Sequence, residues 1–126
     1  MFTEKEIAYI QSQPLARIGT VDAGMQPDVS PVGFRFDGKH FKITGMNNKA
    51  TRKYKNIAAG NTQVALAIDD LESIEPWSPR GIKIFGSAQI ADDGSLLITP
   101  TVSWSWQLEG PTIVDGRFVP HKTIHG

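Results

Sequence analysis

The sequence predicts a mostly β (α+β) domain: a small antiparallel barrel of about six strands, with an N-terminal helix and one interior helix. Three observations carry that expectation. Apolar residues alternate at period two in several short runs, Gly- and Asp-containing turn signals separate those runs, and helical spacing appears in two segments. At 126 residues the chain suits one domain with a substantial core, so residues 1–126 are read as a single unit.

The first turn has the grammar of a helix start. Thr3 can cap, Glu6 closes a capping box three residues later, Ile7 and Ile10 share a face, and Pro14 stops the helix. The period then changes to two. Leu15 to Val21 reads as a strand ended by the turn Asp22-Ala23-Gly24. Val29 to Phe36 is a second, with Ser30, Val32, Phe34 and Phe36 alternating against Val29, Pro31, Gly33 and Arg35. Asp37-Gly38 is the strongest short-range hairpin signal in the chain and leads into the third strand, His40 to Thr44; strands joined so tightly are antiparallel.

The interior helix follows, with Ala50, Tyr54, Ile57 and Ala58 on one face and Gly60 as its stop. Gln63 to Ile68 is a fourth strand. Gly81 to Ile90 is a fifth, with Ile82, Ile84, Gly86, Ala88 and Ile90 facing one way, and its mid-strand Gly86 predicts a bulge or a close backbone approach. Beyond the turn Asp92-Asp93-Gly94, Leu96 to Leu108 forms a sixth, in which Val102, Trp104, Trp106 and Leu108 alternate with Ser103, Ser105 and Gln107. The three tryptophans are much apolar surface for so small a barrel and serve either its core or an interface. The turn-rich end is expected to be ordered as far as Phe118 and frayed beyond it.

Composition removes several function classes. Thirteen basic and thirteen acidic residues balance, which argues against a general nucleic-acid binder. Without cysteine there is no disulfide, thiolate metal site or Cys nucleophile. No apolar run approaches the roughly 20 residues of a membrane span. The start, Met1-Phe2-Thr3-Glu4-Lys5-Glu6, lacks a signal peptide's pattern, so a cytoplasmic protein with no membrane partner is expected. His40, His121 and His125 stand without a metal-ligand grouping, and Ser30, Ser103 and Ser105 without a partnered base.

One local imbalance stands out against this neutral background. Between Gly38 and Ile68 there is no Asp or Glu, yet Lys39, Lys42, Lys49, Arg52, Lys53 and Lys55 all fall there. Its centre opens a helix directly after a strand, where unpaired N–H groups and the dipole favour an anion. Thr51, Arg52 and Lys53 add a hydroxyl, a planar fork and a point charge suited to a phosphate; a solvated basic face explains the same residues. Asp69 to Glu75 lacks the ligand spacing and central Gly of a calcium loop and reads as a solvated connection. Pro76-Trp77-Ser78-Pro79-Arg80-Gly81 then sets an aromatic, a guanidinium and flexible backbone before a strand. It either plugs a hydrophobic edge or walls a flat ring.

Taken in order, Gln26 to Val32, Asn47 to Asn56 with Arg52-Lys53, Val64-Ala65-Leu66, Trp77 to Gly81, and Gly86 resemble the pyridoxamine 5′-phosphate oxidase-like split β-barrel superfamily. The resemblance is nearest to its coenzyme F420-dependent oxidoreductase branch, whose last-strand pattern Val102-Ser103-Trp104 also resembles, and it spans about Phe2 to Leu108. It implies a homodimer with two cofactor sites at the interface. Ser30, Pro31 and Val32 would back the ring through their main chain, and Gly45, Met46, Asn47 and Asn48 would line the turn. Thr51, Arg52 and Lys53 would hold the phosphate. Trp77, Arg80 and Gly81 would come from the second subunit.

The implied activity is hydride transfer between reduced F420 and an unsaturated small-molecule substrate, the cofactor doing the chemistry and the protein positioning it. Lys49 and Lys55, with Arg80, would meet the carboxylates of the F420 tail. The alternatives are an FMN-binding flavin reductase or oxidase of the same fold, or a flavin- or tetrapyrrole-binding protein without turnover. The chain lacks the extended C-terminal substrate motif of true pyridoxamine-phosphate oxidases, which argues against that activity.

Overall fold

In the computed structural model, which describes residues 1–45 and 48–126, the capping box at Thr3 is complete. The Thr3 hydroxyl accepts from the Glu6 N–H, and the Glu6 carboxyl accepts from the Thr3 N–H at 3.0 Å, which starts α1 (Glu4–Ser12). Glu6 is fully buried, and its second oxygen accepts from Ser105 Oγ at 2.6 Å. The cap is therefore also a core contact, and each buried polar atom in it has a partner.

Seven strands form one curled antiparallel sheet: β1 (Leu15–Val21), β2 (Pro27–Gly33), β3 (Arg35–Phe36), β4 (Phe41–Ile43), β5 (Gln63–Ser73), β6 (Ser78–Ile90) and β7 (Leu96–Trp106). Their order is β2-β1-β5-β6-β7-β4-β3, so β2 and β3 are the two edges, yet only Phe34 separates them in the chain. A one-residue link reaches about 7 Å at most. The sheet must therefore curl until its edges nearly meet, which makes the half-barrel. The single strand expected from Val29 to Phe36 is broken at Phe34 for this reason. Phe34 packs on the core and lies 5.8 Å, centroid to centroid, from Phe41.

The inner face of the curl is the core. Ala16 and Ile18, Val32, Phe41 and Ile43, Val64, Leu66 and Ile68, Ile82, Ile84 and Ala88, and Leu96 and Ile98 all point into it. Phe2 fills one end against Phe36 and Phe41, at 5.4 and 6.3 Å. The interior helix α2 (Arg52–Ala58) crosses β1, where Asn56 Nδ2 donates to Thr20 Oγ1 at 3.0 Å, both residues buried. This corrects the expected helix face. Asn56 and Ile57 are buried, whereas Ala50 and Ala58 are exposed, because Thr51 caps the helix and leaves Ala50 in a preceding 3-10 turn.

Three further differences matter for function. β5 does not stop at Ile68; Asp69 to Ser73 continue it and pair with the start of β6, so the expected acidic connection is part of a long two-stranded arm. β7 ends at Trp106 rather than Leu108, because Gln107 takes a positive φ of 61°. The end of the chain is ordered. β8 (Ile113–Val114) and β9 (Arg117–Phe118) make a small hairpin, and β10 (His121–Ile124) joins β7. That strand is held by its ladder, by a 2.9 Å hydrogen bond between Ser103 Oγ and His125 Nε2, and by the His125 ring 4.3 Å from that of Phe2.

Gly86 sits at a register shift between β6 and β7, and a Cβ there would lie 2.7 Å from the Thr99 carbonyl oxygen. The close approach expected from the sequence is present. Gly86→Ala should therefore lower stability by about 1–3 kcal/mol, the range of overpacking, as read by urea denaturation. An unchanged midpoint would show that the bulge relaxes freely.

Burial holds the His125 imidazolium below the ordinary value of 6.5, with the Met1 amino group acting the same way and Glu6 opposing. Because its docked value is depressed, the undocked tail binds the proton first. Docking of β10 is then fully favourable above about pH 6.5 and weakens as the pH falls below it. Amide exchange at Lys122 to Ile124 should accelerate between about pH 7.5 and about pH 5.5 beyond the intrinsic change, and His125→Phe should remove that excess.

Candidate functional site

The residues singled out in the sequence fall into two groups at different ends of the molecule. The first is built on β2, the turn after β4 and the start of α2. In β2, Val32 is buried and Pro31 exposed, while Ser30 is half-buried with its Oγ fully enclosed and without a partner among the described residues. Met46 and Asn47 lie outside the described residues. Gly45 is exposed, and Asn48 is buried with its Nδ2 donating to the Gly94 carbonyl at 2.9 Å. The Thr51 hydroxyl donates to the Asn48 carbonyl at 2.6 Å and accepts from the Tyr54 N–H at 3.3 Å. Asn48 and Thr51 thus shape the turn from which the basic side chains project.

Beside that turn, Thr44, Gly45, Asn48, Lys49, Asp93, Gly94 and Ser95 line an open cleft of about 420 Å³. Of the six cations between Gly38 and Ile68, Lys42 reaches Asp93 at 3.4 Å. Lys39, Lys49, Arg52, Lys53 and Lys55 enter no ion pair among the described residues. Asp93 in the cleft wall answers Lys42, and the other five cations add up to a local positive field.

The second group lies on the β5–β6 arm. Trp77 is 67% exposed at its tip, between Ser73 and Ser78. α2 hands over to β5 at Gln63, and ten residues of strand at about 3.3 Å each put the tip about 30 Å from that junction. One chain therefore does not bring Trp77 to α2. Gly81 is buried: a Cβ there would lie 2.6 Å from the Trp106 ring, so Gly81 makes room for that indole and is not open to a ligand within this chain.

Arg80 is similarly engaged. Its Nε and Nη2 donate to the two oxygens of Asp70 at 2.8 and 3.1 Å. Tyr9 donates its hydroxyl to Asp70 at 2.7 Å, and the guanidinium lies 5.2 Å from the Tyr9 ring centroid. The Arg80 guanidinium holds the Asp70 carboxyl below its ordinary value of 3.8. Burial, and then Asp70, push the Tyr9 hydroxyl far above its own, so Tyr9 remains the donor. Neither Tyr9 nor Asp70 was singled out from the sequence. Extending the antiparallel register of β5 and β6 past Ile68 would have set Asp70 opposite Arg80.

The outer face of the sheet carries a third feature. Strand registry aligns Val29, Gly19, Ala65, Phe85, Val102 and Ile124 in one row across β2, β1, β5, β6, β7 and β10. Val29, Phe85 and Ile124 are 71%, 43% and 75% exposed. The adjacent row holds Lys83 and Lys122 over Trp104, their Nζ atoms 4.6 and 6.0 Å from its ring. Ser103 and Ser105 face inward and are fully buried, so the alternation of β7 turns both Trp104 and Trp106 outward. The outer face thus mixes exposed apolar side chains with lysines stacked on an indole.

Comparison with known proteins agrees with this architecture. A family model described as pyridoxamine 5′-phosphate oxidase matches residues 2–103. A 5a,11a-dehydrotetracycline/5a,11a-dehydrooxytetracycline reductase from Streptomyces rimosus subsp. rimosus is 33% identical over 122 residues, covering 86% of this chain and 85% of that protein. Among solved structures, an F420 reductase superposes with a TM-score of 0.63 at 19% identity, over 81% of this chain and 98% of its own. HupZ from Group A Streptococcus gives 0.69 at 23% identity, over 88% and 98%. At those identities the two structures carry the fold alone. The family model spans most of the chain and its half-barrel is this one: the chain belongs to the pyridoxamine 5′-phosphate oxidase family, in its split β-barrel form.

Proposed function

We propose that this chain is an F420-dependent oxidoreductase that acts on an unsaturated small molecule as a homodimer. The observation that carries the reading is the group of four cations, Lys49, Arg52, Lys53 and Lys55, at the start and flank of α2, without an acidic partner among the described residues. A reductase 33% identical over most of the chain supports an oxidoreductase. The Ser30 side chain faces inward, opposite buried Ile18, so Ser30 would meet a bound group through its main chain.

When bound, reduced F420 supplies a hydride from its ring to an electrophilic double bond. The protein's work is binding and orientation. Arg52 and Lys53 would hold the phosphate, Arg52 through its planar fork and Lys53 as a point charge. Lys49 and Lys55 exceed what one phosphate requires and would meet the carboxylates of the cofactor's tail. The main chain of Ser30, Pro31 and Val32 would back the ring, with Gly45, Asn48 and Thr51 shaping the turn beside it. Trp77 would act from the second subunit, with Arg80 on the same arm and Gly81 contributing only by making room for the Trp106 indole. The distance of about 30 Å along β5 supports a second copy as the source of that aromatic wall.

Paired titrations of F420 and FMN at low and high salt test the cofactor. F420 should bind more tightly, by a margin that shrinks with salt, since exposed charge pairs are worth up to about 1 kcal/mol each. Arg52→Ala should weaken binding by about 10- to 100-fold and Lys53→Ala comparably, with little change in thermal midpoint because neither side chain is in the core. Tighter FMN binding with peroxide formation in air would select the flavin oxidase reading. Unchanged affinity in both variants would leave a solvated basic face.

The dimer is tested separately. The exposed row Val29, Phe85 and Ile124, with Trp104 and Trp106 beside it, supports the outer sheet face as the contact. Light scattering should give a dimer at micromolar concentration, and Phe85→Glu should give a folded monomer that has lost cofactor affinity. A stable wild-type monomer would end the two-chain site.

A further inference from the structure

We infer that Arg80 is a positioning residue rather than an anion ligand: Tyr9 and Asp70 clamp it so that it braces the β5–β6 arm and sets the Trp77 turn against the cofactor's flat ring. This rests on the proposed F420 or FMN site and narrows how the arm would take part in it. Asp70 and Arg80 face each other across the antiparallel ladder, close to the Ser73–Ser78 end of the arm. Both side chains are 31% exposed and their contact is bidentate, so the fork is oriented along the ladder rather than toward solvent. Tyr9 is buried on α1 and touches the pair twice, its hydroxyl also lying 3.3 Å from the Arg80 carbonyl oxygen. With its ring under the guanidinium, it fastens the arm to the body of the domain. At the tip the Ser73 hydroxyl donates to the Pro76 carbonyl, which closes the turn that presents Trp77.

Charge makes the same point. A guanidinium already facing a carboxylate presents almost no net charge to a third group, whereas Lys49, Arg52, Lys53 and Lys55 are free to do so among the described residues. Anionic recognition would thus come from the α2 cations of one chain, and the arm of the other would contribute an aromatic surface. Arg80 would then lose its role if replaced by any residue that cannot form the fork, even one that keeps the charge.

The experiment uses the full chain with fluorotryptophan incorporated, the Trp77 resonance being assigned by Trp77→Phe. Asp70→Asn, Tyr9→Phe, Arg80→Met and Arg80→Lys are each compared by ¹⁹F spectra without cofactor and by titration with FMN and with F420 at two salt concentrations. A brace predicts that Asp70→Asn shifts or narrows the Trp77 signal while those of Trp104 and Trp106 hold. It predicts that both cofactors bind about 5- to 20-fold more weakly in Asp70→Asn, with an unaltered salt slope, and that Arg80→Lys is as damaging as Arg80→Met. An anion ligand predicts the opposite sign: Asp70→Asn would release the Arg80 charge, tighten binding and steepen the salt dependence, and Arg80→Lys would retain affinity. Either of those results overturns the proposal. If the wild-type protein binds neither cofactor, the functional reading fails by itself, and an unmoved Trp77 resonance in Asp70→Asn would overturn the brace independently.

Discussion

The rest of the structure depends on the link through Phe34. It joins the two edge strands of the sheet, β2 and β3, with a single residue, and so forces seven strands to bend until their edges almost touch. Curvature creates an inside small enough for isoleucines, leucines and a few phenylalanines to fill, and an outside that the chain cannot cover. α1 and Phe2 close one end of that inside, while α2 lies across β1 through the buried Asn56–Thr20 hydrogen bond. The helix that carries the basic residues is thus anchored by polar as well as apolar contacts, and its N-terminal cations enter no ion pair among the described residues.

The same curl explains the separation of inner from outer residues. On β7, Ser103 and Ser105 occupy the interior, each with a partner: His125 for the first and Glu6 for the second. Two hydroxyls inside and two indoles outside invert the usual arrangement. The inversion is stable because the serines are satisfied and the indoles are partly shielded, Trp106 against Gly81 and Trp104 beneath Lys83 and Lys122. It leaves Val29, Phe85 and Ile124 exposed on the outer face beside the two partly shielded indoles.

Charge follows a comparable division. Acids and bases balance over the chain, but the acids accumulate on the arm and the β6–β7 turn while bases gather around α2. On the arm, Asp70 and Asp69 meet Arg80 and Arg17 and are neutralised within the fold. Around α2 the long stretch without an acid leaves the bases available to something outside the chain. Local sequence composition therefore becomes a surface field only where the fold does not supply the opposite charge.

Much of this was legible in the residues. Period-two alternation set the inward face of β6, Asp-Gly turn chemistry fixed the β3–β4 hairpin, Thr3 and Glu6 started α1, and Gly86 marked the close approach to Thr99. These are interactions between near neighbours or single steric requirements, which a sequence states directly. The break at Phe34, the length of the β5–β6 arm, the docking of β10 and the Tyr9–Asp70–Arg80 clamp were not legible. Each joins residues dozens of positions apart or depends on how strands pair, and strand pairing is a property of the whole sheet rather than of any segment. The candidate site divides in the same way. The sequence by itself determined that a basic helix start and a lone tryptophan loop exist; the tertiary structure decided that they lie far apart in one chain, because a continuous strand of eleven residues stands between them.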